Sequence, residues 1–275
     1  MSSSQNPSGI ATEIFHAFFR HECMSRAASI SFYALLAVIP LVMIMASIAG
    51  FFLGSSAEVI EQIVGGVMEV VPAGREIFLA NLHSLLGQRS ELSFYGTILL
   101  LFIATILVTN IEAALNTVFQ SASSRNILHS HLLGVVLIFF ISLIFFLPTM
   151  VQILAGLLQR YGFAFPFIDF FQAKVFFVLM AFLSYVVTTV VIPNNKVYLR
   201  YALVGGLLFA VGISVAKYIF RWYLLVALSR YNVIYGSLTA VVLSVLWIYY
   251  MAVVMLAASE VVAVLQVRRV FHRGK

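Results

Sequence analysis

The sequence predicts an all-α fold, a polytopic membrane bundle of six transmembrane helices with short amphipathic interfacial helices beside it. Composition is the first reason: of 275 residues, 63% are hydrophobic and only 9% charged. Soluble domains run at roughly 45–50% apolar and about 25% charged, and a soluble globule of this size could not hide so much apolar surface. The second reason is the arrangement of the apolar residues in long runs. Each is long enough, at about 1.5 Å per residue, to approach or exceed a hydrocarbon core of about 30 Å. Such runs must be helical, because an isolated strand would leave its backbone groups unpaired in lipid. The short alternating strands of an outer-membrane barrel do not occur.

Residues 1–26 read as a polar lead, MSSSQNPSG, followed by an amphipathic helix lying in the membrane interface. In that helix Ile14, Phe15, Phe18 and Phe19 alternate with Glu13, His16, Arg20, His21 and Glu22. The transmembrane domain covers 27–266, with spans at about 27–53, 94–119, 132–158, 174–192, 201–222 and 235–266. The first run is too long for the apolar core of a signal peptide, so its removal is not expected. An outer insert, 54–92, carries two sets of apolar residues at near-helical spacing, parted by Pro72-Ala73-Gly74. It reads as two short amphipathic helices on the outer face. The aromatic segment GFAFPFIDFF, 162–171, suits the same interfacial zone. A basic tail, 267–275, closes the chain.

An even number of crossings leaves both termini on one side. With the N-terminus inside, nine of the Lys and Arg residues fall in inner segments and seven in outer ones. Arg268, Arg269, Arg273 and Lys275 crowd the tail, which assigns both termini to the cytoplasm and the protein to a bacterial inner membrane. The net charge of +6 fits such flanks and anionic headgroups better than a nucleic-acid surface.

A carboxylate inside a span is costly and faces protein or water. Glu112 and Glu260 both fall near inner helix ends, with Asn116 beside the first and Arg26, Arg125 and Arg200 as flanking cations. The candidate cytoplasmic-side polar cluster is therefore Glu112, Asn116, Glu260, Arg26 and Arg200. It reads either as a vestibule, for a proton relay or a headgroup, or as ion pairing that orients the bundle. Lys217 and Arg221, four apart on one helical face, form with Arg230 a candidate outer headgroup site. Pro40 and Pro148 sit inside spans and should kink them. Gly205, Gly206, Ala210, Gly212 and Ala216 give the fifth span a small-residue surface, for neighbours in the chain or for a second copy.

No catalytic constellation is visible. His129 and His131 have no metal-ligand partners at suitable spacing, and H-E-x-x-H, G-x-S-x-G and Walker-type loops are absent. The single cysteine, Cys23, excludes an internal disulfide and a thiolate cluster. The chain is expected to be no enzyme, to need no cofactor or metal and to bind no nucleic acid.

Four segments resemble the YihY/BrkB family of bacterial inner-membrane proteins: SRAASISFYALLAVIP at 25–40, IEAALN at 111–116, IPNNKVYLR at 192–200 followed by Gly205-Gly206, and YGSLTAVVLSVLWIYYMAVVMLAASE at 235–260. Their order and spacing agree along nearly the whole chain. One departure is Ala258, where the family usually has glycine. The resemblance implies six spans with cytoplasmic termini. Members have carried the label ribonuclease BN and have been linked to envelope integrity, serum resistance and lipopolysaccharide or lipid export; no catalytic residues carry over. The expected function is moving, or helping to move, an amphiphilic lipid or glycolipid in envelope biogenesis. The alternative is a non-transporting scaffold for envelope or virulence machinery, and a membrane ribonuclease is the weaker third. Expected partners are membrane lipids or glycolipids, with an envelope protein or a second copy as further possibilities.

Overall fold

A computed structural model describes residues 7–37, 89–121, 147, 151, 174–235 and 239–273. Among these every regular element is an α-helix and no strand occurs. The helices are α1 (Pro7–Arg20), α2 (Cys23–Ala37), α3 (Arg89–Val118), α4 (Lys174–Val191), α5 (Leu199–Tyr235) and α6 (Thr239–Arg273). The expected first span beyond residue 37, the expected third span at 132–158 apart from residues 147 and 151, all of the outer insert before residue 89, the aromatic segment at 162–171, Arg125, Pro40 and Pro148 lie outside the described residues.

Among the described residues, two stretches are long and apolar enough to cross a membrane, Leu199–Tyr223 in α5 and Val241–Arg268 in α6. Only 33% of the most apolar window of each is buried. The remainder of α5 turns Leu207, Val211, Val215, Ile219 and Trp222 outward. Helices apolar on the outside as well as the inside need lipid around them. The apolar stretches Cys23–Ala37, Phe102–Val118 and Val175–Val191 are shorter.

Several boundaries differ from the sequence reading. The amphipathic helix stops at Arg20 instead of running to Arg26, because Glu22 adopts a left-handed conformation (φ 53°). There the Glu22 N–H reaches back to the Phe19 carbonyl at 3.1 Å, and the Glu22 carbonyl accepts from Arg26 N–H at 3.1 Å, opening α2. Residues 23–26 therefore belong with the apolar helix that follows. Tyr235 closes α5 rather than opening the last span, and Arg268, Arg269 and Arg273 continue α6 instead of forming a separate tail.

The core lies where α5 packs against α4 on one side and α6 on the other. Glycine makes that approach possible. A Cβ on Gly205 would stand 2.5 Å from Val262 Cγ2 and 2.7 Å from the Tyr185 hydroxyl, and one on Gly212 would stand 2.5 Å from Val254 Cγ1. One on Gly206 would meet Val186 and Phe182 of α4. These small residues are spent on contacts within the chain. Tyr185 donates to Ser259 Oγ across the α4–α6 seam at 3.1 Å, while Ser259 donates to the Met255 carbonyl at 2.9 Å.

Candidate functional site

The site starts from the break at Arg20–Cys23. It turns the chain so that α1 lies back along the end of α6, antiparallel to it. Two polar contacts mark that alignment: Glu13 with Arg268, and His21 with Glu260. The partners are eight residues apart along both segments, roughly 12 Å of matched rise, with His21 just past the end of α1. Arg268 donates from Nε to Glu13 Oε2 at 3.1 Å and from Nη2 to the same oxygen. This outer pair is partly exposed. The inner one is not: Glu260 is 1% exposed and the His21 side chain 10%.

His21 Nδ1 lies 2.6 Å from Glu260 Oε1, and the Cys23 thiol donates to the same oxygen at 3.5 Å. A short contact of this kind is a charge-assisted hydrogen bond. On the other side of the ring, Arg20 Nη2 approaches His21 Nε2 at 3.5 Å. Arg26 Nε donates to the His21 carbonyl at 3.0 Å, bracing the turn that presents the imidazole. Burial, the negative charge of Glu260 and the hydrogen bond to it push the Cys23 thiol up to about 12, with Arg26 acting the other way.

A cleft of about 420 Å³ opens over this pair. Glu13, His16 and Arg20 of α1 and Gln266 of α6 give it a polar mouth; Val118 at the end of α3, Phe119 just after it, and Ala263, Val264 and Val267 of α6 give it an apolar wall. The α3 end that closes the wall is fixed by its own cap. Gln120 is left-handed (φ 48°) and Ser121 N–H bonds the Asn116 carbonyl at 2.8 Å, a Schellman-type ending.

The link between α4 and α5 is tied to the same end. Asn116 Oδ1 accepts from Asn194 N–H at 2.8 Å, and Asn195 Nδ2 donates to the Phe119 carbonyl at 3.0 Å. Gln266 spans the link from α6, accepting from Tyr198 N–H at 3.2 Å and donating to the Lys196 carbonyl at 2.9 Å.

The five-residue polar cluster expected from sequence is thus divided. The side chain on Glu260 is His21, not an arginine. Arg26 stands beside it, bonded to the backbone. Asn116 serves the interhelix link. Arg200 lies over the rings of Tyr198 and Tyr201, at 5.4 and 4.9 Å from their centroids, because a guanidinium stacks well on aromatic faces. Glu112 is half-buried on α3. The outer headgroup site is divided as well: Lys217 Nζ sits 3.1 Å from the Phe177 ring centroid, turned inward to α4, whereas Arg221 is exposed. Arg230 lies in α5. Among the described residues no group of three or more His, Cys, Asp or Glu is placed to hold a metal ion.

Sequence reasoning missed His21, Cys23, Asn195 and Gln266 as site-forming residues. In the sequence His21 reads only as one of the polar residues of the amphipathic helix, and its place at the end of α1 comes from the break that the structure shows there. Asn195 and Gln266 act on backbone groups brought near only by the fold.

Two helices long and apolar enough to cross a bilayer, with much of their apolar surface turned outward, mark an α-helical membrane protein. The family model described as virulence factor BrkB matches residues 14–275. The chain belongs to the BrkB family. Its relatives include UPF0761 membrane proteins of Legionella pneumophila (strain Corby), 26% identical over 95% of this chain and 63% of the relative, and of Azotobacter vinelandii, 29% identical over 95% and 64%. One from Aggregatibacter aphrophilus is 25% identical over 92% of this chain and 90% of its own length. The chain spans about 63% of the length of the Legionella relative. No solved structure matches.

Proposed function

We propose that this membrane protein crosses a bacterial inner membrane six times with both termini in the cytoplasm, and that it moves, or helps to move, an amphiphilic lipid or glycolipid during envelope building. The observation that carries the reading is the cleft between α1 and α6, with ionic groups at its mouth and a greasy wall of Phe119, Val264 and Val267 below them. That pairing of surfaces suits a molecule with a charged head and an apolar tail. The exposed rings of Phe15 and Phe19, tilted against each other with centroids 4.8 Å apart on the side of α1 away from the bundle, support a seat in the interfacial layer. The role needs no catalytic group and no nucleotide, so any uphill movement draws on an ion gradient or a partner.

One observation favours a second reading, a scaffold that transports nothing: the glycine-locked contact of α5 with α4 and α6 leaves little room for those helices to separate. Proteoliposomes decide between the two. Fluorescent phospholipid or glycolipid should change leaflet faster with the protein than without it. Ala263→Phe, which fills the cleft wall, should abolish the gain while the protein stays folded. A rate equal to that of empty vesicles, together with crosslinking to a stable protein partner, would establish the scaffold.

A further inference from the structure

We propose that the cleft between α1 and α6 selects a lipid with a phosphodiester headgroup that bears no ammonium, and that Arg20 and His16 hold its phosphate. The proposal rests on the reading of the cleft as an amphiphile's seat and adds the charge that the seat prefers. It follows from an inventory of the lining. Two carboxylates border the cleft, Glu13 and Glu260, and both are already engaged. Glu13 Oε2 receives two donors from Arg268. Glu260, 1% exposed, lies 2.6 Å from His21 Nδ1 and accepts from the Cys23 thiol at 3.5 Å. An incoming ammonium would have to compete for either one.

The cations are not balanced in the same way. Arg268 is taken up by Glu13, Arg26 by the His21 carbonyl and Arg200 by tyrosine rings. Arg20 lines the cleft, is exposed, and among the described residues forms no ion pair with a carboxylate; its polar contact is His21 Nε2 at 3.5 Å. A guanidinium carries five N–H donors in a fork that fits two phosphate oxygens, so most of them remain for a ligand. His16, also exposed and lining the cleft, stands four residues earlier on the same face of α1. In either tautomer its ring offers one N–H.

Depth in the membrane agrees with that charge. Ala17, 6% exposed, is turned to the protein, while Phe15 and Phe19, 62% and 50% exposed, face away. At about 100° per residue, His16 and Arg20 come between these two sides of the helix. Rings sunk among acyl chains therefore hold the guanidinium at the level of the lipid phosphates. The wall of Phe119, Val264 and Val267 lies beside it for the start of a chain, a surface that a free phosphate would leave unused.

Isothermal titration of the full chain in neutral detergent tests the site, with short-chain phosphatidylglycerol, phosphatidylcholine, phosphatidylethanolamine and inorganic phosphate as probes. The glycerol lipid should bind about tenfold tighter than either zwitterion of equal chain length, the worth of one charge-assisted pair. Arg20→Gln should erase that preference by weakening the glycerol lipid alone. Arg20→Lys, which keeps the charge, should restore most of it; position 20 is exposed, so neither variant disturbs packing. His16→Ala should weaken the glycerol lipid about threefold, and Ala263→Phe, at the wall, should weaken all three lipids alike. Equal affinities for the three lipids, or a preference that survives Arg20→Gln, would overturn the charge selection and leave the amphiphile's seat standing. Lipids that do not bind at all would remove both. Inorganic phosphate binding as tightly as the glycerol lipid would also overturn the proposal, marking a site for a free anion.

Discussion

Replacing Gly205 with alanine adds one methyl group at the crowded point of the bundle. The new carbon would stand 2.5 Å from Val262 Cγ2, 2.7 Å from the Tyr185 hydroxyl and 2.8 Å from Tyr185 Cε1. Carbon atoms rest at about 3.5–4.0 Å, so roughly 1 Å of opening is required. Tyr185 cannot give way freely, because its ring stacks on Phe209 at 5.1 Å and its hydroxyl is bonded to Ser259. Overpacking of this kind costs about 1–3 kcal/mol, and loss of the tyrosine bond adds about 1 kcal/mol. The higher helix propensity of alanine returns about 1 kcal/mol. The net expectation is a destabilisation of about 2 kcal/mol, near thirtyfold in the unfolding equilibrium. Unfolding in mixed detergent micelles, followed by the fluorescence of the buried Trp247, would measure it. Gly9→Ala is the control: nothing lies within 4 Å of a Cβ there, and the variant should be unchanged or more stable by up to about 1 kcal/mol. Should Gly205→Ala match or exceed the native stability, the close approach of α5 to its neighbours would be disproved.

Cys23, buried and held up to about 12, should stay protonated at neutral pH and react with maleimide far more slowly in the folded protein than in denaturant; equal rates would refute its burial. Its folded value lies above the ordinary 9.0, so its contribution to stability is whole below that pH and is lost as pH rises toward 12, which alkaline unfolding of Cys23→Ala beside the native chain would reveal as a shallower decline. The Glu13–Arg268 pair is half-exposed, so Glu13→Ala should cost no more than about 1 kcal/mol. A charge swap, Glu13→Arg with Arg268→Glu, should recover most of that in a double-mutant cycle, and additive losses would show that the pair does not couple.

What could be read from the sequence is what depends on neighbours in the chain. The unbroken apolar runs of α5 and α6 announce membrane helices, and five small residues in one stretch announce a helix contact. That Glu260 would be a costly, buried carboxylate also follows from its position between apolar neighbours. Its partner does not follow, because His21 is 239 residues away and looks like any polar residue on an amphipathic helix. The flanking arginines were the natural candidates by charge. The fold assigns Arg200 to tyrosine rings and Arg26 to the turn instead, since each meets those groups within a few residues of itself. Lys217 illustrates the same limit: helical spacing places it beside Arg221, but only packing of α4 on α5 reveals the Phe177 ring beneath its ammonium.

The antiparallel seating of α1 on α6 has a consequence for biogenesis. Arg268 is synthesised 255 residues after Glu13, which at about 5–20 residues per second leaves roughly 13–50 s between the two. Throughout that interval α1 has emerged from the ribosome without the surface it finally covers, its inner face as open as its Phe15 and Phe19 face. Docking of α1 must then wait for the synthesis of α6. The membrane, or the insertion machinery, has to shelter that helix until α6 arrives.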